Sequence, residues 1–263
     1  MRLPRPALLP VPALLALVLA LVACATPPPA SDPAALAEFR QTNDPLEPAN
    51  RIFYAINDAL DGVVLHPLAV GYLNAVPGAV RDKVHNALGN LNSPVLLAND
   101  MMQGSPRRAG DTFMRFVINS TLGIGGFFDP ATSLGYPRHD SDFGMTMALW
   151  GVPEGPFLYL PVLGPTDPRD ASGYGIDIAL DPFTWFGNGF LVSDLYIVRY
   201  GLTAVDVRSG LIPDLDKVKE QALDPYATFR SLYRQYRKAQ IEKARTDTPP
   251  PTQPWSAAAP AAQ

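Results

Sequence analysis

The sequence predicts an all-α domain, and three observations carry that expectation. Apolar residues recur at three- and four-residue spacing along most of the chain, which marks helix faces rather than strands. Helix starts are punctuated by proline or a capping residue, as at Pro48 and Ser105-Pro106, where a missing N–H costs little. The one stretch with strand-like apolar runs, Asp142–Gly164, contains Pro156 and Pro161, which forbid a central strand.

The elements follow in order. Leu46–Leu60 places Ile52, Phe53, Ile56 and Leu60 on one helix face. Gly62–Val80 is uncharged, but His66, Pro67, Asn74, Pro77 and three glycines break it too often for a spanning helix, which needs about 20 predominantly apolar residues. A loop joining two short helices is expected there. Pro77–Leu91 repeats the helical spacing through Val80, Val84, Leu88 and Leu91, and Asn92-Ser93-Pro94 restarts a helix to Met102. Pro106–Leu122 stops at Gly123. It reads as apolar on nearly all sides, so it is expected to be buried in a core or in lipid. Trp150–Pro156 has turn chemistry between apolar runs, which predicts a short hairpin-like loop near 150–160. Helices are expected at Asp170–Leu180, Phe190–Val207 and Pro225–Ala244.

Composition narrows the class. Only 17% of the 263 residues are charged, against about 25% in soluble domains. The net charge of -4 gives no reason to expect nucleic-acid binding. Residues 1–23 carry Arg2 and Arg5, then an apolar run closing on small residues, and read as a secretory signal. The single cysteine, Cys24, follows directly, in the position of a lipidated residue. Ala25 rather than Asp behind it favours the outer membrane over inner-membrane retention. Residues 24–37 form a Pro/Ala-rich linker and 246–263 a Pro-rich tail, both too poor in apolar surface to order themselves. Residues 38–245 read as one domain. Within it, 206–245 hold 15 charges in 40 positions and 113–205 hold 13 in 93. The body therefore has either an unusually neutral surface or a surface partly out of water. The last helix, with Arg230, Arg234, Arg237 and Lys238 beside Phe229, Leu232, Tyr233 and Tyr236, suits anionic headgroups, an acidic partner or plain solvent.

A search for catalytic chemistry finds little. The 3 histidines form no metal-ligand spacing, and no nucleophile elbow occurs. Gly123–Gly126 follows a helix rather than a strand, the wrong context for a phosphate loop. Asp129, Asp140, Asp142, Asp167 and Asp170 sit beside turn residues and suit turn and cap duty. No cofactor and no metal are expected.

Several segments in fixed order carry a family resemblance. They are Asp44-Pro45-Leu46-Glu47 with Asn50-Arg51, Arg115-Phe116 with Asn119 to Gly123 and Gly125-Gly126-Phe127, Asp142-Phe143-Gly144, Trp150-Gly151 through Gly155-Pro156, Arg169-Asp170, and Asp224-Pro225-Tyr226. Over roughly Asp44–Tyr236 the chain resembles the VacJ/MlaA lipoproteins of the Gram-negative outer membrane. The resemblance implies an all-α ring, or donut, of short amphipathic helices around a central channel. It implies removal of mislocalised phospholipids from the outer leaflet of the outer membrane. It also implies a trimeric porin as neighbour, and a periplasmic lipid-carrier protein that feeds an inner-membrane ABC transporter. Gly151, Val152, Pro153, Glu154 and Gly155 match the family's channel-gating loop. The rival readings are an anchored periplasmic hydrolase and a structural envelope tether; the first requires a clustered nucleophile and base. Replacing Gly151 or Gly155 by a bulky residue is expected to raise outer-leaflet phospholipid, and unchanged leaflet composition would count against a gating role.

Overall fold

A computed structural model describes residues 44–185 and 190–246, together with 31–33, 36 and 42. The signal segment 1–23, Cys24, most of the 24–37 linker and the tail beyond Thr246 lie outside the described residues. The described elements are α1 (Glu47–Leu60), a π-helical turn (Asp61–Leu65), α2 (His66–Ala75), α3 (Gly78–Met102), α4 (Pro106–Thr121), the single turn α5 (Pro130–Ser133), α6 (Phe143–Leu149), β1 (Leu158–Leu160), β2 (Gly164–Thr166), α7 (Pro168–Leu180), the single turn α8 (Pro182–Trp185), α9 (Phe190–Gln221) and α10 (Pro225–Thr246). The fold is mostly helical, with one antiparallel hairpin.

Packing contacts close a circuit. The path runs from α1 to β1, across the hairpin to β2, to α10, to α6, to α3, to α9, to α2, and through the π turn back to α1. An aromatic cluster holds one arc. Phe157, Tyr159 and Tyr226 are buried there, with Phe53, Tyr54 and Tyr233 against them. Tyr54 meets Tyr159 edge-on at 5.5 Å between ring centroids, a favoured aromatic geometry.

Three expectations need correction. First, Gly62–Val80 is not a loop: the chain runs from α1 through the π turn into α2, ending at Ala75. Pro67 stands just past the π turn, so its missing N–H falls at an irregular junction rather than within a regular α-helical stretch, and the carboxylate of Asp61 anchors the π turn to Arg208 at 2.7 and 2.9 Å. Second, Pro94 does not restart a helix but lies inside α3, as Pro213 lies inside α9, which runs well past Val207. A mid-helix proline costs about 3 kcal/mol. Packing of α3 against α4, α6, α7 and α9, and of α9 against α2, α3 and α10, offsets it. Third, α4 is not apolar all round. Its buried residues are Arg108, Thr112, Arg115, Ile118 and Asn119, while Phe113, Val117 and, just past its end, Leu122 are exposed.

That inversion is general. Asn50, Asn99, Asp100, Thr146, Thr166 and Asp181 are among the most completely buried side chains. Outward stand Ile52, Val63 (78% exposed), Leu68, Leu122 (70%) and Ile124. Exposed apolar patches of this extent mark a lipid or protein contact surface. No helix of the described residues is long and apolar enough to cross a membrane.

The hairpin sits near the predicted place, but its turn falls at 161–163 rather than at 151–156. Val162 occupies the tip with φ of 69°, a strained conformation for a β-branched residue. Asn57 holds it there, accepting from the Val162 N–H at 2.7 Å and donating to the Leu160 carbonyl at 2.8 Å. Asn50 clamps the other end. It donates to Asp44 and to the Phe157 carbonyl, and accepts from the Tyr159 N–H at 2.9 Å. Asn50→Leu leaves two buried backbone groups unpaired. It is expected to cost about 3 kcal/mol, measured as a fall in unfolding midpoint in detergent.

Candidate functional site

The inward faces of the helices meet around a polar cavity of about 490 Å³. Helix α3 supplies His85, Asn86, Asn90 and Ser93; α4 supplies Thr112, Arg115 and Asn119; the segment before α6 supplies Arg138 to Asp142; α10 supplies Tyr236 and Gln240. On both helices these polar residues repeat at helical spacing, so each element turns a polar stripe to the cavity.

Three ionic clusters fix the wall. Arg115 grips Asp129 with both Nη2 contacts, 3.0 and 2.9 Å, and reaches Thr132 and the Tyr136 carbonyl. Asn119 and Arg138 donate to the same carboxylate. Burial pushes Asp129 upward, but hydrogen bonds from Thr132, Arg115 and Asn119 outweigh it and hold the carboxyl well below its usual range. In the second cluster, fully buried Asp100 accepts from Thr112 at 2.6 Å, meets His139 at 2.8 Å and faces Arg108 at 3.7 Å. In the third, Arg237 of α10 reaches Asp142 at 2.6 Å and Asp170 at 2.6 Å. Arg169 and Tyr233 also bond Asp170. Burial raises Asp170, yet the two guanidiniums win and lower it. Its neighbour Asp167 goes the other way. Burial, with the charge of Asp170 added, pushes Asp167 up to about 6 against the backbone bond it accepts from Asp170.

Thr112, His139 and Asp100 superficially resemble a hydrolytic triad. In a triad the acid and the hydroxyl bond opposite imidazole nitrogens. Here Asp100 and Thr112 both meet Nε2, at 2.8 and 3.2 Å, so no relay through the ring exists. Among the described residues no group of three or more His, Cys, Asp or Glu is gathered as for a metal ion.

The sequence-predicted residues fall into three places. Arg115 and Asn119 line the cavity. Beside them, Gly126 has φ of 94°, and a Cβ there would lie 2.5 Å from that of Asn90; Gly125, at φ of 70°, completes the turn. Asp44, Pro45, Asn50 and Arg51 gather where α1, the hairpin and α10 meet. Asp44 takes Arg230 at 2.6 Å, and Arg51 takes Asp224 at 2.6 Å while stacking 4.5 Å from the Tyr226 ring. Gly151 to Gly155 do not line the cavity. Gly151 and Gly155 have positive φ. Glu154 pairs with Arg234 at 2.7 Å and borders a basic groove of about 890 Å³ along α10. Thus Arg230, Arg234 and Arg237, which read as a free basic face, are bound largely by the chain's own carboxylates. Asp129, Asp142 and Asp167 do cap helices, and each also pairs with arginine. Arg138, His139 and Asn90 went unnoticed; the polar spacing Asn86–Asn90–Ser93 was the available signal.

A profile of the MlaA lipoprotein family matches residues 42–240. The chain belongs to this family. It is 36% identical over 203 residues to the intermembrane phospholipid transport system lipoprotein MlaA of Haemophilus influenzae, covering 75% of this chain and 79% of that one. The MlaA of Escherichia coli is 33% identical over 196 residues, covering 73% and 75%. An uncharacterised Rickettsia bellii protein is 35% identical over 204 residues, covering 77% and 78%. A solved structure described as the structural basis for maintenance of bacterial outer membrane lipid asymmetry superposes with a TM-score of 0.66 at 29% identity, over 75% of this chain and 98% of that one.

Asp167 generates a pH prediction. An acid whose folded pKa is raised contributes stability below its unfolded value, the usual 3.8, and loses it as pH rises through about 6. Asp167→Asn keeps the cap but removes the titration. Relative to the parent, the variant is expected to gain stability between pH 4 and pH 6.5 in denaturant titrations; a constant difference across that range would contradict the assignment.

Proposed function

We propose that the chain is an outer-membrane lipoprotein, anchored through Cys24, that withdraws mislocalised phospholipids from the outer leaflet. In this reading the lipids pass through an amphipathic channel inside the helical ring. A periplasmic lipid-carrier protein receives them and feeds an inner-membrane ABC transporter, and a trimeric porin stands beside the ring. The observation that carries the reading is the inversion of polarity: a closed circuit of helices with apolar side chains exposed and ion pairs, amides and a polar cavity between them. Such a body suits the membrane interface outside and a polar headgroup inside. Its family membership and the names of its relatives support the same reading.

No nucleotide site is needed for such transport. A phospholipid misplaced in the outer leaflet can move downhill, and the ring needs only to lower the barrier to the headgroup's crossing. A barrier of this kind is largely the desolvation of a charged group, which a wall of arginine, amide and hydroxyl groups relieves.

Deleting the gene is expected to raise phospholipid in the outer leaflet, assayed by surface labelling. Normal asymmetry with altered murein, or with a missing hydrolytic product, would favour the tether or the hydrolase. Cys24→Ser is expected to abolish incorporation of labelled acyl chains and to reproduce the deletion. Full acylation without Cys24 would remove the anchor from the proposal.

A further inference from the structure

We infer that the polar cavity seats the zwitterionic phosphate–ammonium headgroup of an ethanolamine phospholipid. This rests on the transport reading and adds the headgroup that the wall selects. The first argument is polarity. Leu96 is the one aliphatic side chain in a wall otherwise built of charged residues, amides, hydroxyls, histidines and glycine. Acyl chains have no surface to lie on along this stretch of wall; the group that it seats is polar. A volume of about 490 Å³ holds one headgroup with some of its water.

The second argument is charge. At one place two guanidiniums, Arg115 and Arg138, share the single carboxylate of Asp129, so one positive charge is left over. Arg138 is the accessible partner. It spends Nε on Asp129 and Nη2 on Asn86, and Nη1 makes no hydrogen bond among the described residues. An arginine so placed suits a phosphate oxygen. Two residues along the chain stands Asp140. Its carboxylate accepts only from neutral donors, the Gln240 amide at 3.0 Å and the Tyr236 hydroxyl at 3.4 Å, and no cation pairs with it among the described residues. The neighbouring carboxylates do not share this state: Asp142 is held by Arg237, and Asp100 by His139 and Arg108. The wall therefore carries one uncompensated charge of each sign, and a headgroup whose phosphate and ammonium are joined by two carbons answers both.

The third argument concerns the amine. A primary ammonium donates hydrogen bonds to Asp140; a quaternary choline nitrogen has no N–H, and a glycerol headgroup brings no positive charge. Asn90 adds a second acceptor in the same wall. It is buried, gives its amide N–H to Ser120, and its Oδ1 finds no donor among the described residues. An amine, or the water that comes with it, supplies that donor once the side chain turns to the cavity.

The test uses the full chain in lipid nanodiscs and three soluble probes: glycerophosphoethanolamine, glycerophosphocholine and glycerophosphoglycerol. The ethanolamine probe is expected to bind roughly tenfold tighter than the others by calorimetry. Asp140→Asn is expected to erase that preference while leaving the glycerol probe unweakened. Arg138→Gln is expected to weaken all three probes roughly tenfold. Equal affinities for the three probes, or uniform weakening by Asp140→Asn, would overturn the inference. Nanodiscs of phosphatidylethanolamine are expected to compete with the soluble probe where phosphatidylcholine nanodiscs do not; without that competition the site belongs to a free phosphoamine, and the lipid seat falls. Failure of the transport reading itself would show elsewhere, as normal leaflet asymmetry after gene deletion, and would leave these affinities unchanged.

Discussion

A guanidinium set against a carboxylate on the inner side of the ring is the interaction on which the rest of this structure depends. The chain has few charges, and the structure gathers many of them at joints between elements. Arg208 joins α9 to the π turn through Asp61, and Arg230 joins α10 to the entry of α1 through Asp44. Arg237 joins α10 to α6 and α7, Arg115 joins α4 to α5, and Arg199 joins α9 to Asp181 at 2.7 Å. Replacing one member of such a buried pair leaves an uncompensated charge and costs about 3–5 kcal/mol. The joints are thus strong in the sense that matters for a ring: neither partner can be released alone.

Their placement follows from what surrounds the helices. In the proposed membrane setting, hydrocarbon offers no hydrogen bonds, so a charge facing it has no partner to find. Turned inward, the same charges pair with one another and leave a polar cavity between the helices. The apolar residues that would normally fill a core are then free to face outward, and the aromatic cluster around Tyr226 is the one buried patch of ordinary hydrophobic character. Low charge content, buried ion pairs and exposed apolar side chains are three aspects of one arrangement.

Much of the helical layout was legible in the sequence because periodic spacing and caps are local signals. Ser105 caps α4, and Asp129, Asp142 and Asp167 cap the helices after them. What was not legible depends on distant packing. Pro94 and Pro213 read as breaks, since nothing within a turn of either residue reveals the neighbours that keep α3 and α9 continuous. The inversion of α4 was hidden for a different reason. Phe113, Phe116, Val117 and Ile118 form a conspicuous apolar run, and the polar residues that make up most of its buried face look like a solvent side until their partners are seen. Half of the site could be read from Arg115 and Asn119 in their family segment. Arg138 and Asp140 lie on an irregular segment, where no periodicity distinguishes a wall residue from a turn residue. The arginines of α10 looked unpartnered because Asp44, Glu154 and Asp170 lie 186, 80 and 67 positions away.

The joint between Asp44 and Arg230 also sets an order of events. Its partners stand near the two ends of the described chain, and loop closure over such a span carries a large entropic cost that must be met before any contact rewards it. Local helices and the α3–α4 hairpin can form early, while the contacts of Tyr226, Arg230 and Arg237 wait for α10. The joint between the two ends of the described chain is then among the last to form, and a chain shortened before Pro225 loses every contact that α10 makes with α6, β2 and α9.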